Sequence, residues 1–226
     1  MKWIPFTAVA AALAVAGGAG TMMFTLAAGP GPWWRGYVSE AGTDGQPYAI
    51  TYRWGLITLA LGVALLGAAR SAMPGRTGHP AWTRRLAGLA WSPRLLDGTV
   101  AVWALAVAAV LAAVSGAVPC TGGCPLPPYE PTTVADVVHA AASVVGMVVL
   151  AAAMATMWLS ASSRAVRWLS AAAVLPMVPL GVVLGVIMLA VGRVTAGAVV
   201  ERLVLLIAVA WLISVALLTA RAAAKT

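Results

Sequence analysis

Six apolar runs, each long enough to cross a lipid bilayer, constrain this chain more than any other feature of its sequence. They cover residues 4–28, 54–72, 98–118, 134–159, 165–191 and 199–222, and a helical span needs about 20 apolar residues. Only 9% of the side chains are charged, against about 25% in soluble domains. The runs lack the alternation of barrel strands. The sequence therefore predicts an all-α polytopic membrane protein, a single six-transmembrane-helix bundle over residues 1–226.

The distribution of Lys and Arg predicts how the bundle is oriented. Arg35, Arg53, Arg193 and Arg202 are the only basic residues at one set of run ends, and the other ten lie at the opposite set. Cytoplasmic loops collect Lys and Arg. We therefore expect a multi-pass protein of the cell membrane with both termini cytoplasmic and with loops 29–53, 119–133 and 192–198 extracytoplasmic. The net charge of +8 then reflects topology and attraction to anionic lipid, and we expect no nucleic-acid partner.

Three further features carry predictions about organisation. The run 4–28 is long for a signal peptide, so we interpret it as the first span, with a cleaved signal peptide as the alternative. Residues 81–91 are typical of a short interfacial helix. In the fifth span, Pro176 and Pro179 predict a kink, and Gly181 and Gly185 form a G-x-x-x-G pair that we expect to pack inside the bundle. The alternative is that the kink opens a cavity towards the outer leaflet.

Acidic and aromatic residues gather at the ends predicted to be extracytoplasmic. Five of the six acids and all four tyrosines lie there, which favours an outward-facing polar and aromatic pocket. Residues with a polar or ionisable group near the membrane boundary are candidate catalytic groups, namely Glu40, Asp136, His139 and Glu201. The candidate substrate-binding residues are Trp33, Trp34, Tyr37, Arg53, Trp54, Tyr129, Arg193 and Arg202.

Asp136 and His139 lie three residues apart at the start of a predicted helix, so they share one of its faces. Structural roles are open for both. Thr133-x-x-Asp136 resembles a capping box, in which the acid stabilises the helix N-terminus. For His139, we favour the role of an interhelical hydrogen-bonding residue.

Cys120 and Cys124 are the only cysteines, and they flank a Thr-Gly-Gly turn. The loop is predicted to face an oxidising compartment, where thiols pair, so we expect a disulfide. The alternative is a metal site that adds Asp136 and His139 to the two cysteines, but the repeated C-x-x-C spacing of strong metal motifs is missing. We expect no bound metal and no cofactor. Two histidines are too few for a multi-haem cytochrome.

Four stretches carry a resemblance to a known family. They are YVSEAG at 37–42, VPCTGGCP at 118–125, ADVVHAAAS at 135–143 and ERLVLLIAVAWL at 201–212. In this order and spacing, along a six-span chain, they resemble the bacterial membrane family catalogued as domain of unknown function 998. The resemblance implies that Ser39, Glu40, Cys120, Cys124, His139, Glu201 and Arg202 are the positions that the family marks. It implies no reaction. The family's layout is similar to that of eukaryotic six-span proteins implicated in lipid remodelling, which is an analogy.

Three functions fit these patterns. The first is binding of a lipid, isoprenoid or other amphiphile in the outward-facing pocket, with membrane lipids as partners. The alternative is a membrane-embedded enzyme in which an outer-side carboxylate acts as general acid on an isoprenoid or lipid, as a terpene cyclase would. A small transporter is third, because no inverted repeat is visible. Binding needs only the polar pocket, so we favour it. Whether there is catalysis, and the oligomeric state, stay open.

Overall fold

The computed structural model describes residues 2–73, 98–125 and 129–225, and all of its long elements are helices. We number them α1 (Trp3–Ala28), α2 (Ala49–Ser71), α3 (Gly98–Ala117), α4 (Val134–Ser160), α5 (Arg164–Ala190) and α6 (Thr195–Ala223), and a short 3-10 helix lies at Val38–Gly42. All six are long and apolar enough to cross a membrane. The predicted fold class is confirmed: the protein is an all-α, multi-pass membrane protein with six membrane-crossing helices in the described part of the chain.

The helix bounds follow the apolar runs closely, except at two N-termini. α2 begins at Ala49 and α6 at Thr195, several residues before the apolar runs that start at 54 and 199. A helix continues beyond the hydrocarbon as long as its backbone hydrogen bonds continue, so apolarity alone places its start too late. The predicted interfacial helix at 81–91 lies outside the described residues.

Neighbouring helices in the sequence are neighbours in space, and α6 also packs against α1, so that the six helices form a closed ring. The core draws on every helix of the ring. Its largest fully buried side chains include Leu66, Leu105, Met154 and Trp211. The Trp211 indole donates a 3.0 Å hydrogen bond to the Ser170 hydroxyl. This bond satisfies the indole nitrogen, which is the only polar atom of the Trp211 side chain.

Small residues set the closest helix contact, between α1 and α2. A Cβ atom on Gly18 would lie 2.5 Å from the Gly55 carbonyl oxygen, and one on Gly62 would lie 2.8 Å from the Val15 nitrogen. Glycine here permits the backbones to approach, as is common between membrane helices.

The prediction that Gly181 and Gly185 pack inside the bundle is wrong. A Cβ atom on either residue would meet no atom within 4 Å. Neighbouring valines at 182, 183 and 186 are exposed. Both glycines lie on the face of α5 that points away from the ring, because α5 buries a different stripe that includes Ser170 and Val174. The helix is continuous through Pro176 and Pro179.

The two ends of the bundle differ in charge. We call one the acidic end: it is formed by the connections 29–48 and 191–194, by residues 118–125 and 129–133 of the connection between α3 and α4, and by the first turns of α4 and α6. Its acids are Glu40, Asp44, Glu130, Asp136 and Glu201. The other end holds both chain termini, where Ile4, Ala69 and Ala220 form a small separate core. The polar side chains singled out by the sequence all belong to the acidic end.

Candidate functional site

The connection 29–48 is held against the bundle by two consecutive residues of α6. Arg202 donates through Nη1 to the Gly36 carbonyl at 2.9 Å and through Nη2 to the Trp33 carbonyl at 2.6 Å. Glu201 accepts a hydrogen bond of 2.6 Å from the Val38 backbone N–H through Oε2. A guanidinium presents its donors in a rigid fork, so Arg202 can fix two carbonyls at once. Glu201 and Arg202 thus position the backbone of this connection.

Within the connection, Glu40 closes the start of the 3-10 helix. Its Oε1 accepts a hydrogen bond of 3.0 Å from the Tyr37 backbone N–H. Gly36 has a φ of +72°, and a Cβ atom there would lie 2.5 Å from the Glu40 carboxylate. The sharp turn before Tyr37 therefore requires a glycine. The Glu40 carboxylate thus stabilises the start of the 3-10 helix and is also partly accessible.

Tyr37 projects from this turn into the bundle, where its side chain is 4% exposed. Its hydroxyl lies against Gly197 in the first turn of α6. Burial raises the pKa of Tyr37 above its usual value of 10.0, and the nearby Glu201 carboxylate raises this pKa further. Tyr37 is therefore neutral, and its buried side chain anchors the connection 29–48 to α6.

Arg193 joins the three connections of the acidic end. Its guanidinium contacts Glu130 at 2.9 Å and Glu40 at 3.5 Å, and it also donates to the Gly123 carbonyl. The Arg193 side chain is 31% exposed, so each ion pair alone contributes little. Its effect is geometric: it links residues of 29–48 and 118–133 through the α5–α6 connection.

A cleft opens between the end of α1 and the connection 29–48, and we call it the Arg35 cleft. Its volume is about 90 Å³. Its lining includes the aromatic residues Trp33, Tyr37 and Tyr48, together with Gln46 and Glu40. Among the described residues, the guanidinium of Arg35 has no hydrogen-bond or ion-pair partner, and the residue is exposed.

A second groove at the acidic end has a volume of about 220 Å³. It is lined by Tyr129, Glu130, Val191, Gly192 and Arg193. The Tyr129 hydroxyl donates a 2.5 Å hydrogen bond to the Leu189 carbonyl at the end of α5. Since Arg193 and Glu130 already pair with each other here, this groove offers less unsatisfied charge than the Arg35 cleft.

Asp136 lies apart from both clefts and is almost fully buried, with 2% exposure. Its Oδ1 accepts from the Thr121 backbone N–H at 2.7 Å, and its Oδ2 accepts from the Thr133 backbone N–H at 2.7 Å. The hydroxyls of Thr121 and Thr133 donate to the same carboxylate. The capping-box interpretation is confirmed, because the Thr133 hydroxyl also accepts from the Asp136 N–H. Asp136 thereby ties the loop 118–125 to α4.

His139 faces the C-terminal end of α3, as the interhelical interpretation expected. Its Nδ1 lies 2.9 Å from the carbonyl oxygens of both Ser115 and Val118. Carbonyl oxygens only accept, so Nδ1 carries the proton. The other ring nitrogen, Nε2, is buried and has no hydrogen-bond partner among the described residues.

Cys120 and Cys124 form the predicted disulfide. Cys120 is buried and Cys124 is partly exposed. One ligand atom from each cysteine and one ring nitrogen of His139 lie within 4.8 Å of one another. The metal alternative also counted Asp136, but its oxygens are occupied by Thr121 and Thr133.

The predicted site residues therefore divide between several places. Trp33, Tyr37 and Glu40 line the Arg35 cleft, whereas Tyr129 and Arg193 line the second groove. Three others have separate positions. Arg53 donates to the last carbonyls of α3, at Gly116 and Ala117. Trp54 is 62% exposed on α2, and Trp34 is exposed with an edge-to-face contact to the Trp33 ring.

The list of candidate residues from the sequence missed Arg35, Gln46 and Tyr48 as cleft residues, and Thr121 as the partner of Asp136. The sequence could have identified Arg35 as a candidate binding residue, since it is one of only four basic residues at the ends predicted to be extracytoplasmic. Apart from its place between the two cysteines, nothing in the sequence indicates the role of Thr121. Its hydrogen bond to Asp136 joins residues 15 positions apart.

The sequence profile described as "Protein of unknown function (DUF998)" matches residues 85–218, which is more than half of the chain. The match includes three of the four stretches noted above, and YVSEAG at 37–42 precedes it. Neither a curated protein nor a solved structure matches the chain. The extent of the profile match and the six membrane-crossing helices agree with the resemblance seen in the sequence. The chain belongs to the DUF998 family of proteins of unknown function.

Proposed function

We propose that this protein binds the anionic headgroup of an amphiphile, a lipid or an isoprenoid phosphate, in the Arg35 cleft. The observation that carries the proposal is the exposed guanidinium of Arg35, which has no partner among the described residues and lies in a cleft with aromatic walls. A guanidinium binds phosphate or carboxylate oxygens through two parallel hydrogen bonds. The headgroup would complete the hydrogen bonding of Arg35.

The charge balance of the cleft supports an anionic ligand. Glu40 is its one acidic wall residue, and that carboxylate already accepts from the Tyr37 N–H and pairs with Arg193. The Glu40 carboxylate is thus engaged by groups other than Arg35, whereas the Arg35 guanidinium has no partner among the described residues. Rejection of a cationic headgroup follows from the same arrangement.

The position of the cleft supports an amphiphile over a fully soluble anion. Thr25 and Leu26 of α1 form part of the wall, and Met23 and Phe24 on the same turn are exposed to 51% and 55%. Phe24 also contacts the Tyr48 ring, with centroids 5.6 Å apart. A headgroup at Arg35 would leave its apolar tail against this surface of α1, in the hydrocarbon. The cleft itself is too small for the tail, since ligand pockets usually measure about 300–1,000 Å³.

The proposal includes the orientation expected from the sequence: the acidic end lies on the extracytoplasmic side of the cell membrane, and both termini are cytoplasmic. The excess of Lys and Arg at the opposite ends supports this orientation. The ligand would then come from the outer leaflet.

Catalysis is the second candidate, with one observation in its favour: Glu40, one of the four candidate catalytic groups, lines the cleft. A Glu40 that protonates an isoprenoid bound at Arg35 would be the general acid of such an enzyme. Asp136, His139 and Glu201 line neither cleft. Binding requires fewer aligned groups, and we rank it first.

The test is lipid retention by detergent-purified full-length protein, measured by native mass spectrometry and by titration with phosphatidylglycerol, farnesyl phosphate and zwitterionic phosphatidylcholine. The Arg35→Gln variant removes the guanidinium group that we propose binds the anionic headgroup. Arg164→Gln is the matched control, because Arg164 is also exposed and without a described partner but lies at the opposite end. We expect Arg35→Gln to raise the Kd for one of the anionic amphiphiles by about tenfold or more, as loss of a charge-assisted hydrogen bond does.

Equal affinity of wild type and Arg35→Gln for every anionic amphiphile would overturn the proposal. An equal loss in Arg164→Gln would also overturn it, since the effect would then be general attraction to the basic protein. Preference for phosphatidylglycerol or for farnesyl phosphate distinguishes a lipid from an isoprenoid phosphate. Conversion of bound farnesyl phosphate by wild type but not by Glu40→Gln would establish the catalytic candidate.

A further inference from the structure

We propose that Cys120, Cys124 and His139 Nε2 form a binding site for a thiophilic metal ion, such as Zn²⁺, when the disulfide is reduced. The site is separate from the Arg35 cleft and independent of the proposed function. It rests on the mutual distance of the three ligand groups, on the buried and unpartnered Nε2, and on the hydrogen bonds that orient the imidazole ring.

The tautomer of His139 is the one that a metal ligand needs. Nδ1–H is shared between the carbonyl oxygens of Ser115 and Val118, at 2.9 Å each. In the neutral ring, Nε2 then holds the lone pair. Metal-binding histidines almost always donate their second ring N–H to a carbonyl or carboxylate in this way. The carbonyl oxygens at the end of α3 thus orient the His139 ring, as such acceptors do for metal-binding histidines.

The lone pair of Nε2 accepts no hydrogen bond from the described residues. His139 is 7% exposed, and Nε2 is buried without a hydrogen-bond partner among the described residues. Buried polar atoms are nearly always hydrogen-bonded, and an exception calls for a cause. Since a ring nitrogen lies within 4.8 Å of both sulfurs, coordination of an ion held by those sulfurs would satisfy Nε2.

The geometry of the loop fits two thiolate ligands. The Cα atoms of Cys120 and Cys124 are 5.1 Å apart. In a tetrahedral zinc site with Zn–S bonds of about 2.3 Å, two sulfurs lie about 3.8 Å apart. A separation of this size needs side-chain rotation and small loop adjustments. Gly122 and Gly123, which lie between the cysteines, permit such adjustments.

The chemical steps balance with a dithiol as the reductant. One thiolate of the dithiol attacks the partly exposed Cys124 sulfur, the S–S bond breaks and the Cys120 thiolate leaves. The second thiol of the reagent then displaces Cys124, so that the reagent is oxidised to its cyclic disulfide and both cysteines are reduced. Binding of Zn²⁺ releases the two thiol protons. Two thiolates and a neutral imidazole give a complex with zero net charge, which suits a largely buried position.

The experiment uses full-length protein in detergent, reduced with dithiothreitol and freed from it under anaerobic conditions. Co²⁺ is the probe, because thiolate-to-cobalt charge transfer reports sulfur ligation directly, and Zn²⁺ is then added to displace it. We expect one Co²⁺ per reduced chain with a charge-transfer band, and no such band for the disulfide form. His139→Asn is the main variant, since its side-chain amide can still donate to the Ser115 and Val118 carbonyls but has no atom at Nε2.

We expect His139→Asn to raise the Kd for Co²⁺ by at least about tenfold, with an unchanged elution volume in gel filtration. His79→Asn controls for adventitious binding, because His79 is the only other histidine in the chain. The Cys120→Ser/Cys124→Ser variant should lose the band altogether. Reduced wild type without the band, or His139→Asn with wild-type affinity, would overturn the proposal. A reduced chain that unfolds and that Co²⁺ fails to refold would overturn it too.

Discussion

The Tyr37 hydroxyl lies so close to Gly197 that a Cβ atom on this glycine would overlap it. Tyr37 belongs to the connection that forms the Arg35 cleft, and Gly197 belongs to the first turn of α6. The absence of a side chain at position 197 is therefore what allows the connection to pack onto the bundle. The contact joins a loop and a helix 160 positions apart in the sequence.

Replacement of Gly197 by alanine tests this contact. We expect Gly197→Ala to lower the free energy of unfolding by about 1–3 kcal/mol, the usual cost of overpacking, and to lower the Tm in detergent. Gly181→Ala is the control, because a Cβ atom there meets nothing within 4 Å. Tyr37→Phe should partly rescue Gly197→Ala, since it removes the overlapping oxygen. A Gly197→Ala variant as stable as Gly181→Ala would refute the contact.

The raised pKa of Tyr37 predicts a loss of stability at alkaline pH. Burial raises this pKa in the folded protein, whereas tyrosine in an unfolded chain titrates near 10. The stabilisation from the neutral phenol is thus fully present below pH 10 and declines as the pH rises from about 10 through the higher folded pKa. The measurement is Tm between pH 8 and 11, where wild type should lose more stability than Tyr37→Phe above pH 10. Parallel curves for the two proteins would show that Tyr37 is not the responsible group.

Asp136→Asn tests whether this acid is structural. The amide keeps one acceptor oxygen but places an NH₂ group where the carboxylate accepts from Thr121 or Thr133. We expect a loss of about 1.5–3 kcal/mol, as for a hydrogen bond to a charged group, with unchanged binding in the Arg35 cleft. Asp44→Asn is the control, because Asp44 is exposed. If Asp136→Asn were fully stable but lost amphiphile binding, Asp136 would be a ligand-binding residue instead.

Arg202→Lys tests how the connection 29–48 is held. Lysine keeps the charge but lacks the planar fork that reaches the Gly36 and Trp33 carbonyls together. We expect faster cleavage by trypsin after Arg35, measured by the time course of fragment masses. Arg53→Lys is the control, since Arg53 binds carbonyls of α3. Equal cleavage rates in both variants would mean that Arg202 does not hold the connection. A ligand in the cleft should slow cleavage in wild type.

The tertiary structure explains why the residues expected in one pocket are divided between several places. The roles of interfacial tryptophans and arginines cannot be distinguished in a sequence, because membrane anchoring, helix capping and ligand binding use the same residue types. Arg53 and Arg202 turned out to satisfy backbone carbonyls, while Arg35 was left without a described partner. Only distances between helices distinguish these roles.

What the sequence by itself determined is the six-helix architecture, the separation of charge between the two ends, the Thr133–Asp136 cap and the disulfide. Each depends on local information: an apolar run of sufficient length, a spacing of three residues, or two cysteines a turn apart. The tertiary structure decided the closed ring, the close approach of α1 and α2, and the positions of Asp136 and His139 outside the Arg35 cleft. These depend on which residues far apart in the chain meet when apolar helices pack, and that is set by the shape of the whole bundle rather than by any segment of it.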